Sequence, residues 1–174
     1  MMHFIRPLFL SILLLTIALA ADAQVTSQYT DLVDMKCKTL ELNEDEGGSY
    51  KGECRGIAGY KLYVTEGDLR QSVDIVDPNG GVSELQFWNH FSAFSYLGPR
   101  AEWRIKNKKP IALIVRLNVS EDPEDSSKTT SYLIVAKITS AETCITDIIR
   151  PSRTQNIQAR QAADRSAASP CKVK

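Results

Sequence analysis

Histidine is nearly missing from this chain of 174 residues: there are two, and only His90 lies beyond the first two dozen positions. With no CxxC pair anywhere, that scarcity removes the usual zinc constellations. It also leaves nucleophilic catalysis without a framework. A histidine base needs a nucleophile and an orienting acid, and no GxSxG turn supplies them. Net charge is missing too, since 21 Lys and Arg balance 21 Asp and Glu. A dedicated nucleic-acid binder carries a strong basic excess, so nucleic acid is not an expected partner. Asp74–Gly80 and Glu121–Asp125 offer carboxylate oxygens without the spacing of an EF-hand loop. No internal repeat is visible, and no metal or cofactor is implied.

What is present starts with the address. Arg6 supplies a basic start, Pro7–Ala20 is almost unbroken Leu, Ile, Phe and Ala, and Ala21-Asp22-Ala23 puts small residues around a cut before Gln24. This layout predicts a secretory signal peptide over 1–23. The apolar run is short for a bilayer crossing, so no stable membrane insertion is expected after cleavage. No Cys follows it to carry a lipid. Residues 24–174 are then expected as one soluble domain, periplasmic or secreted. The cut removes Arg6 and Asp22 together and leaves the balance at zero.

Four cysteines lie beyond the signal: Cys37, Cys54, Cys144 and Cys171. An even number in an exported chain reads as disulfides. Sequence does not select among the three connectivities. Neighbour pairing, Cys37 with Cys54 and Cys144 with Cys171, is expected because each bond closes a short loop.

Period-two alternation dominates the middle of the chain. Residues 35–42 read as a strand or a helical turn, and Asn43–Tyr50 as an acidic, Gly-rich loop. Tyr60, Leu62 and Val64 share one face of a strand. After a turn at Glu66-Gly67-Asp68, the apolar residues Leu69, Val73 and Ile75 share another. Asp77-Pro78-Asn79-Gly80-Gly81 is strong turn chemistry, which makes Leu69–Trp88 a hairpin. Ala101–Ile105 alternates, and Lys106–Pro110 turns. Ile111–Val119 is the clearest strand, and the β-branched run Thr129–Thr139 is its expected partner. Towards the C-terminus, Ser152 with Gln155 resembles a capping box. Gln155–Ala168 has high helix propensity, with Ala159, Ala162, Ala163 and Ala167 as a small-residue stripe. Pro170 ends that helix. The fold class expected is mainly β, an antiparallel sandwich or strongly bent sheet with one C-terminal helix at about 154–169, stabilised by disulfides.

The richest cluster of candidate site residues is aromatic. Phe87, Trp88, His90, Phe91, Phe94 and Tyr96 fall close together, with Trp103 just beyond. Flat rings offer large contact at low entropy cost, which suits a sugar or peptide groove. The Phe residues are expected in the core. Trp88, Tyr96 and Trp103, with polar tips, are the expected ledge. His90 reads as structural or superficial. Catalysis by paired carboxylates is the alternative, with Glu66 and Asp68, or Glu102 and Asp74, as the pairs. The basic C-terminal stretch, with Arg153, Arg160 and Arg165, reads as a docking surface or a solubilising edge. Asn118 forms a formal glycosylation sequon but falls inside a predicted strand.

The succession Glu66-Gly67-Asp68-Leu69-Arg70, Glu102-Trp103-Arg104, and Ala159-Arg160 with Ala162-Ala163-Asp164 before Cys171 resembles small exported bacterial proteins of unassigned function. The resemblance implies an envelope protein and carries no activity. The expected function is a non-enzymatic binding module of the bacterial envelope, a protein inhibitor or a glycan- or protein-binding accessory. An envelope glycan hydrolase using paired carboxylates is the alternative.

Overall fold

Strand β8, Lys109–Val119, shows why this chain folds as it does. Leu113, Val115, Leu117 and Val119 point into the main core, whereas Ala112 and Ile114 pack against the C-terminal helix. A strand covered on both faces needs apolar residues at every position, and its sequence supplies nearly that. Its partner β9, Thr130–Ile138, repeats the pattern: Tyr132, Ile134, Ala136 and Ile138 face the core, and Leu133 and Val135 face the helix.

A computed structural model describes residues 24–45, 48–122, 124–125 and 127–172. The expected signal peptide, 1–23, lies outside the described residues. The remaining strands are β1 (Thr26–Asp31), β2 (Lys38–Asn43), β3 (Ser49–Arg55), β4 (Lys61–Gly67), β5 (Arg70–Val76), β6 (Val82–Glu84), β7 (Ser95–Lys106) and β10 (Thr143–Ile149). Helix α1 spans Gln155–Arg165 and tightens into a 3₁₀ turn at Ser166–Ala168. The strand order is β10-β9-β8-β7-β5-β4-β3-β2, with β1 added to β7 and β6 to β5. Pairing is antiparallel throughout, except for a single parallel bridge between Arg70 and Ser95 that joins β5 to β7. The sheet bends at that seam. Leu62, Val64, Val73 and Ile75 of one layer then meet Trp103, Leu113, Val115 and Ile134 of the other in one core. Sandwich and bent sheet are two descriptions of this object, and the expected fold class holds.

Cys37 is bonded to Cys54 and Cys144 to Cys171, the neighbour pairing. The Asp77–Gly81 turn forms as expected, with Asp77 Oδ1 accepting the amides of Asn79 at 2.7 Å and Gly81 at 3.0 Å. The turn after β7 is tighter than the sequence implies. Asn107 and Lys108 alone make it, with φ of 52° and 64°, and Pro110 already lies in β8 beside a register shift at Arg104/Ile105. The bulge accommodates a residue without an N–H to donate.

Three strands carry too little buried apolar surface to announce themselves. β1, expected as a polar lead-in, buries Thr30 alone. β3 takes up the end of the expected acidic loop and buries Gly52 and Cys54. β10 has no sequence expectation at all. The helix also departs from its expected cap. Thr154, not Ser152, precedes its first turn and makes no side-chain capping bond. Gln155 is buried, and its Nε2 donates to the carbonyls of Ser131 at 2.7 Å and Ile149 at 3.0 Å, so it satisfies the sheet instead of the helix. Of the alanine stripe, Ala159, Ala162 and Ala163 are buried, but Ala167 is exposed because the 3₁₀ turn brings Ser166 inward.

Small residues bury little area each, so the helix needs other fastenings. The segment that follows it has three: the Cys144–Cys171 bond, Lys172 N–H donating to the Ile145 carbonyl at 2.8 Å, and buried Lys137 Nζ donating to the Ser169 carbonyl at 2.8 Å. Replacing Cys144 and Cys171 together by Ser is expected to lower stability by roughly 3 kcal/mol on the loop-entropy account. Hydrogen exchange should then speed up in α1 before β8 and β9. Uniform acceleration across both layers would show that the bond holds more than the helix.

Candidate functional site

The seam between the layers is stitched by side chains where backbone pairing stops. Ser95 N–H donates to the Leu69 carbonyl at 3.0 Å, and one residue pair bridges β5 to β7. Beyond it, Gln71 stands in for a strand: its Oε1 accepts from Leu97 N–H at 2.8 Å and its Nε2 donates to Glu66 at 2.6 Å. Buried Ser72 accepts from Phe87 N–H at 3.1 Å, which lets the Phe87 ring enter the core. These contacts fix the segment from Phe87 to Tyr96 over the seam.

The ledge is built at this place. Gly67 pairs with Arg70, so Asp68 and Leu69 alone turn the chain from β4 to β5, with φ of 52° and 57°. Left-handed backbone suits Asn or Gly at such positions and penalises a bulky residue by roughly 1–2 kcal/mol. Leu69 sits there 61% exposed. Its carbonyl contact with Ser95 sets it beside Phe94 and Tyr96, whose exposures are 49% and 51%. Trp88 is half-buried in the 3₁₀ turn Phe87–Asn89 and lines a recess of about 330 Å³ with Thr65, Glu66, Gly67, Asp68 and Arg70. Trp88 and Tyr96 are thus partly open to solvent at the seam.

Trp103 corrects the sequence expectation. It is 0% exposed, its Nε1 donates to Thr30 Oγ1 at 2.9 Å, and its ring lies tilted against Tyr60 at 5.9 Å. It fills the core and cannot meet a ligand in this fold. The alternation Ala101-Glu102-Trp103-Arg104-Ile105 already assigned it to the apolar face. Phe94 corrects the other way: Phe87 is buried and Phe91 packs against Tyr132 at 4.8 Å, but Phe94 is exposed. Leu69 is the residue that sequence reasoning missed. Placing the turn one residue early counted it as strand, in phase with Val73 and Ile75, and only the Gly67–Arg70 pairing reveals that it lies in the turn. His90 is half-buried beside the same 3₁₀ turn.

The carboxylate pairs behave differently. Glu66 and Asp68 share the Trp88 recess, Glu66 held by Gln71 and Asp68 by Arg70 at 2.8 Å. Glu102 and Asp74 do not converge, because Glu102 faces α1 and Asp74 lies on the outer face of the other layer. Asp74 is buried between Tyr63 of β4 and Glu84 of β6. Burial, and then the Glu84 charge, push its carboxyl up to about 6, against a bond from the Leu85 amide and the nearby Lys51. Among the described residues, the grouping best placed to hold a metal is Glu142 with Cys144 and Cys171. Its sulfurs form a disulfide, leaving a single carboxylate ligand.

A cavity of about 710 Å³ opens at one end of the sandwich, lined by Tyr60, Pro78, Lys109, Pro110, Ile111 and Ile138 among others. Its walls are largely apolar. Among the described residues, no helix is long and apolar enough to cross a membrane. The chain matches no family model, no curated protein and no solved structure.

Two outcomes follow from the burial. Trp103→Ala is expected to cost about 3–5 kcal/mol, whereas Tyr96→Ala stays within about 0.5 kcal/mol, measured by denaturant unfolding. For Asp74 the folded pKa stands above its ordinary 3.8, so its stabilising contribution is complete below about pH 4 and is lost as pH rises through about 6. Asp74→Asn is therefore expected to match the parent near pH 4 and to exceed it at pH 7.5, by roughly 1–3 kcal/mol. Parallel melting curves at every pH would show that Asp74 ionises without penalty.

Proposed function

We propose that this chain is an exported, non-enzymatic binding module of the bacterial envelope, periplasmic or secreted, that holds a protein or glycan partner on the seam formed by Leu69, Trp88, Phe94 and Tyr96. The observation that supports it most is Leu69. A large apolar side chain kept 61% exposed, in a backbone conformation that penalises it, gains little from folding. Contact with a partner gives it a use. Exposed Phe94 and Tyr96 beside it, and Trp88 nearby, extend the apolar surface, and such rings bind sugars and peptides alike. The two disulfides fit an oxidising compartment. The resemblance to small exported bacterial proteins agrees with that setting, and inhibition of a cell-wall hydrolase is one concrete form of the proposal.

Glu66 and Asp68 give the second reading its footing, since both line the recess beside Trp88. A glycan hydrolase would use them as its carboxylate pair.

Co-sedimentation with purified peptidoglycan and capture from native envelope fractions, each with the mature oxidised protein, test the proposal. Leu69→Gly is expected to weaken retention at least tenfold while raising stability by about 0.5–1 kcal/mol, because the strain is relieved. Tyr96→Ala and Trp88→Ala should weaken it at nearly constant melting temperature. Retention indifferent to all three substitutions removes the seam as the binding surface. Release of soluble glycan fragments that stops in Glu66→Gln would establish the hydrolase instead.

A further inference from the structure

The outer face of β7 and β8 meets α1 across a cleft that gathers more positive charge than it neutralises. Arg100, Arg116 and Arg160 line it, and Glu102 is the carboxylate among its lining residues. Glu102 is already matched. Arg160 donates to it at 2.7 and 3.2 Å, Ser27 donates as well, and Arg104 lies 3.5 Å away. Burial alone would raise this carboxyl, but the Arg160 and Ser27 hydrogen bonds and the nearby Arg160 and Arg104 charges hold it below its usual range. Arg104 in turn pairs with Asp164 through two bonds, at 2.7 and 2.8 Å. Each carboxylate of the network thus has a guanidinium of its own.

Among the described residues, no carboxylate forms an ion pair with Arg100 or Arg116. Half-buried Arg116 meets neutral oxygens: Ser131 Oγ at 2.8 Å, Gln155 Oε1 at 3.3 Å and Asn156 Oδ1 at 3.4 Å. Arg100 lies over the Tyr29 ring at 5.4 Å. Both guanidiniums line one cleft whose floor includes Ile114, Leu133 and Ala159, and Asp31 stands opposite Arg100 on β1 without an ion pair to it among the described residues.

The backbone is shaped around this pair. The register of β7 against β8 shifts between Leu97 and Ala101, a bulge that carries Arg100 to the cleft. Gly98 within the bulge clears space for Arg116, since a Cβ there would stand 2.8 Å from the Arg116 Cβ. Helix α1 begins at the rim, with Asn156 in the lining, and the positive end of its dipole adds to the same field.

We propose that this cleft is an oxoanion site that takes phosphate or the phosphate group of a small phosphomonoester, with Arg116 and Arg100 as the recognising cations and the Tyr29 hydroxyl and Arg160 at its edge. Two guanidiniums that no described carboxylate pairs with suit a group carrying nearly two negative charges better than a single carboxylate. Guanidinium forks match tetrahedral oxoanions in shape as well. The cleft measures about 280 Å³, just below the range of sites for drug-sized ligands, which sets the size of the occupant. The site is separate from the apolar seam, and neither depends on the other.

The test is titration of the mature oxidised protein with inorganic phosphate at low ionic strength. It is followed by calorimetry and by the Arg Nε–Hε resonances, with chloride at equal ionic strength as the control. Saturable binding of one phosphate is expected, together with a rise in melting temperature that chloride does not reproduce. Arg116→Gln should weaken binding roughly tenfold or more, and exposed Arg100→Gln several-fold. Arg100→Gln removes a contact with the Tyr29 ring but no side-chain hydrogen bond among the described residues, so it keeps the test decisive if Arg116→Gln fails to fold. A parallel arm uses flotation with phosphatidic acid vesicles. Capture that Arg100→Gln abolishes, with free phosphate silent, supports the site and names a lipid headgroup as the source of the phosphate. Silence in both arms, or binding that neither substitution weakens, overturns the proposal.

Discussion

Strand β7 has one edge too many to satisfy with a single neighbour, and the rest of the molecule is arranged around that fact. Its first edge is taken by β8 along nearly its whole length. The other edge meets β5 through one bridge at Ser95 and then β1 from Arg100 to Ile105. The register break from Gly98 to Arg100 separates the two stretches. A sheet that changes partner in mid-strand must bend, and bending brings its two inner faces together around Trp103. The same break leaves a poorly paired seam on one side and a basic cleft on the other. Both surfaces of functional interest are by-products of how β7 shares its hydrogen bonds.

The docking of α1 shows a division of labour between burial and charge. Three alanines give close approach but little area, and alanine packs almost equally well in neighbouring registers. Arg104 to Asp164 and Arg160 to Glu102 each allow one register only, because a fork of paired donors fits one placement of its carboxylate. Charge pairs of this kind add modest net stability once desolvation is counted. Their contribution here is to position the helix, and with it Asn156 and Arg160, against the strands.

How much of this was legible depended on how many faces of each element are covered. Ile111–Val119 and Thr130–Ile138 are buried on both sides, so their apolar runs carried the signal plainly, and the turn at Asp77 and the cysteine spacing were read correctly as well. β1, β3 and β10 lean on neighbours through backbone bonds more than through side chains, and polar sequences such as TSQYTD conceal them. At Trp103, composition misled where periodicity did not. Trp103 has the polar tip of a surface aromatic, but its place in the alternation was inward, and Thr30 supplies the acceptor that makes burial affordable. Leu69 was hidden because it is in phase with Val73 and Ile75, which do enter the core, but itself lies in the turn, with φ of 57°. The basic cleft had no local signature, since Arg100, Arg116 and Arg160 are brought together only by a bulge and a docked helix.

The Cys37–Cys54 bond has a consequence for the order of events in the life of the chain. Among the described residues, β2 is the outermost strand of its layer, is exposed along its whole length and pairs only with β3. The cystine rivets this thin cover to β3. While the thiols are still reduced, β2 is free to peel, and the bare hydrogen-bonding rim of β3 would then invite a second chain to take its place. Oxidation therefore acts as a catch against self-association, and the chain is safest when it meets an oxidant before it meets its own kind.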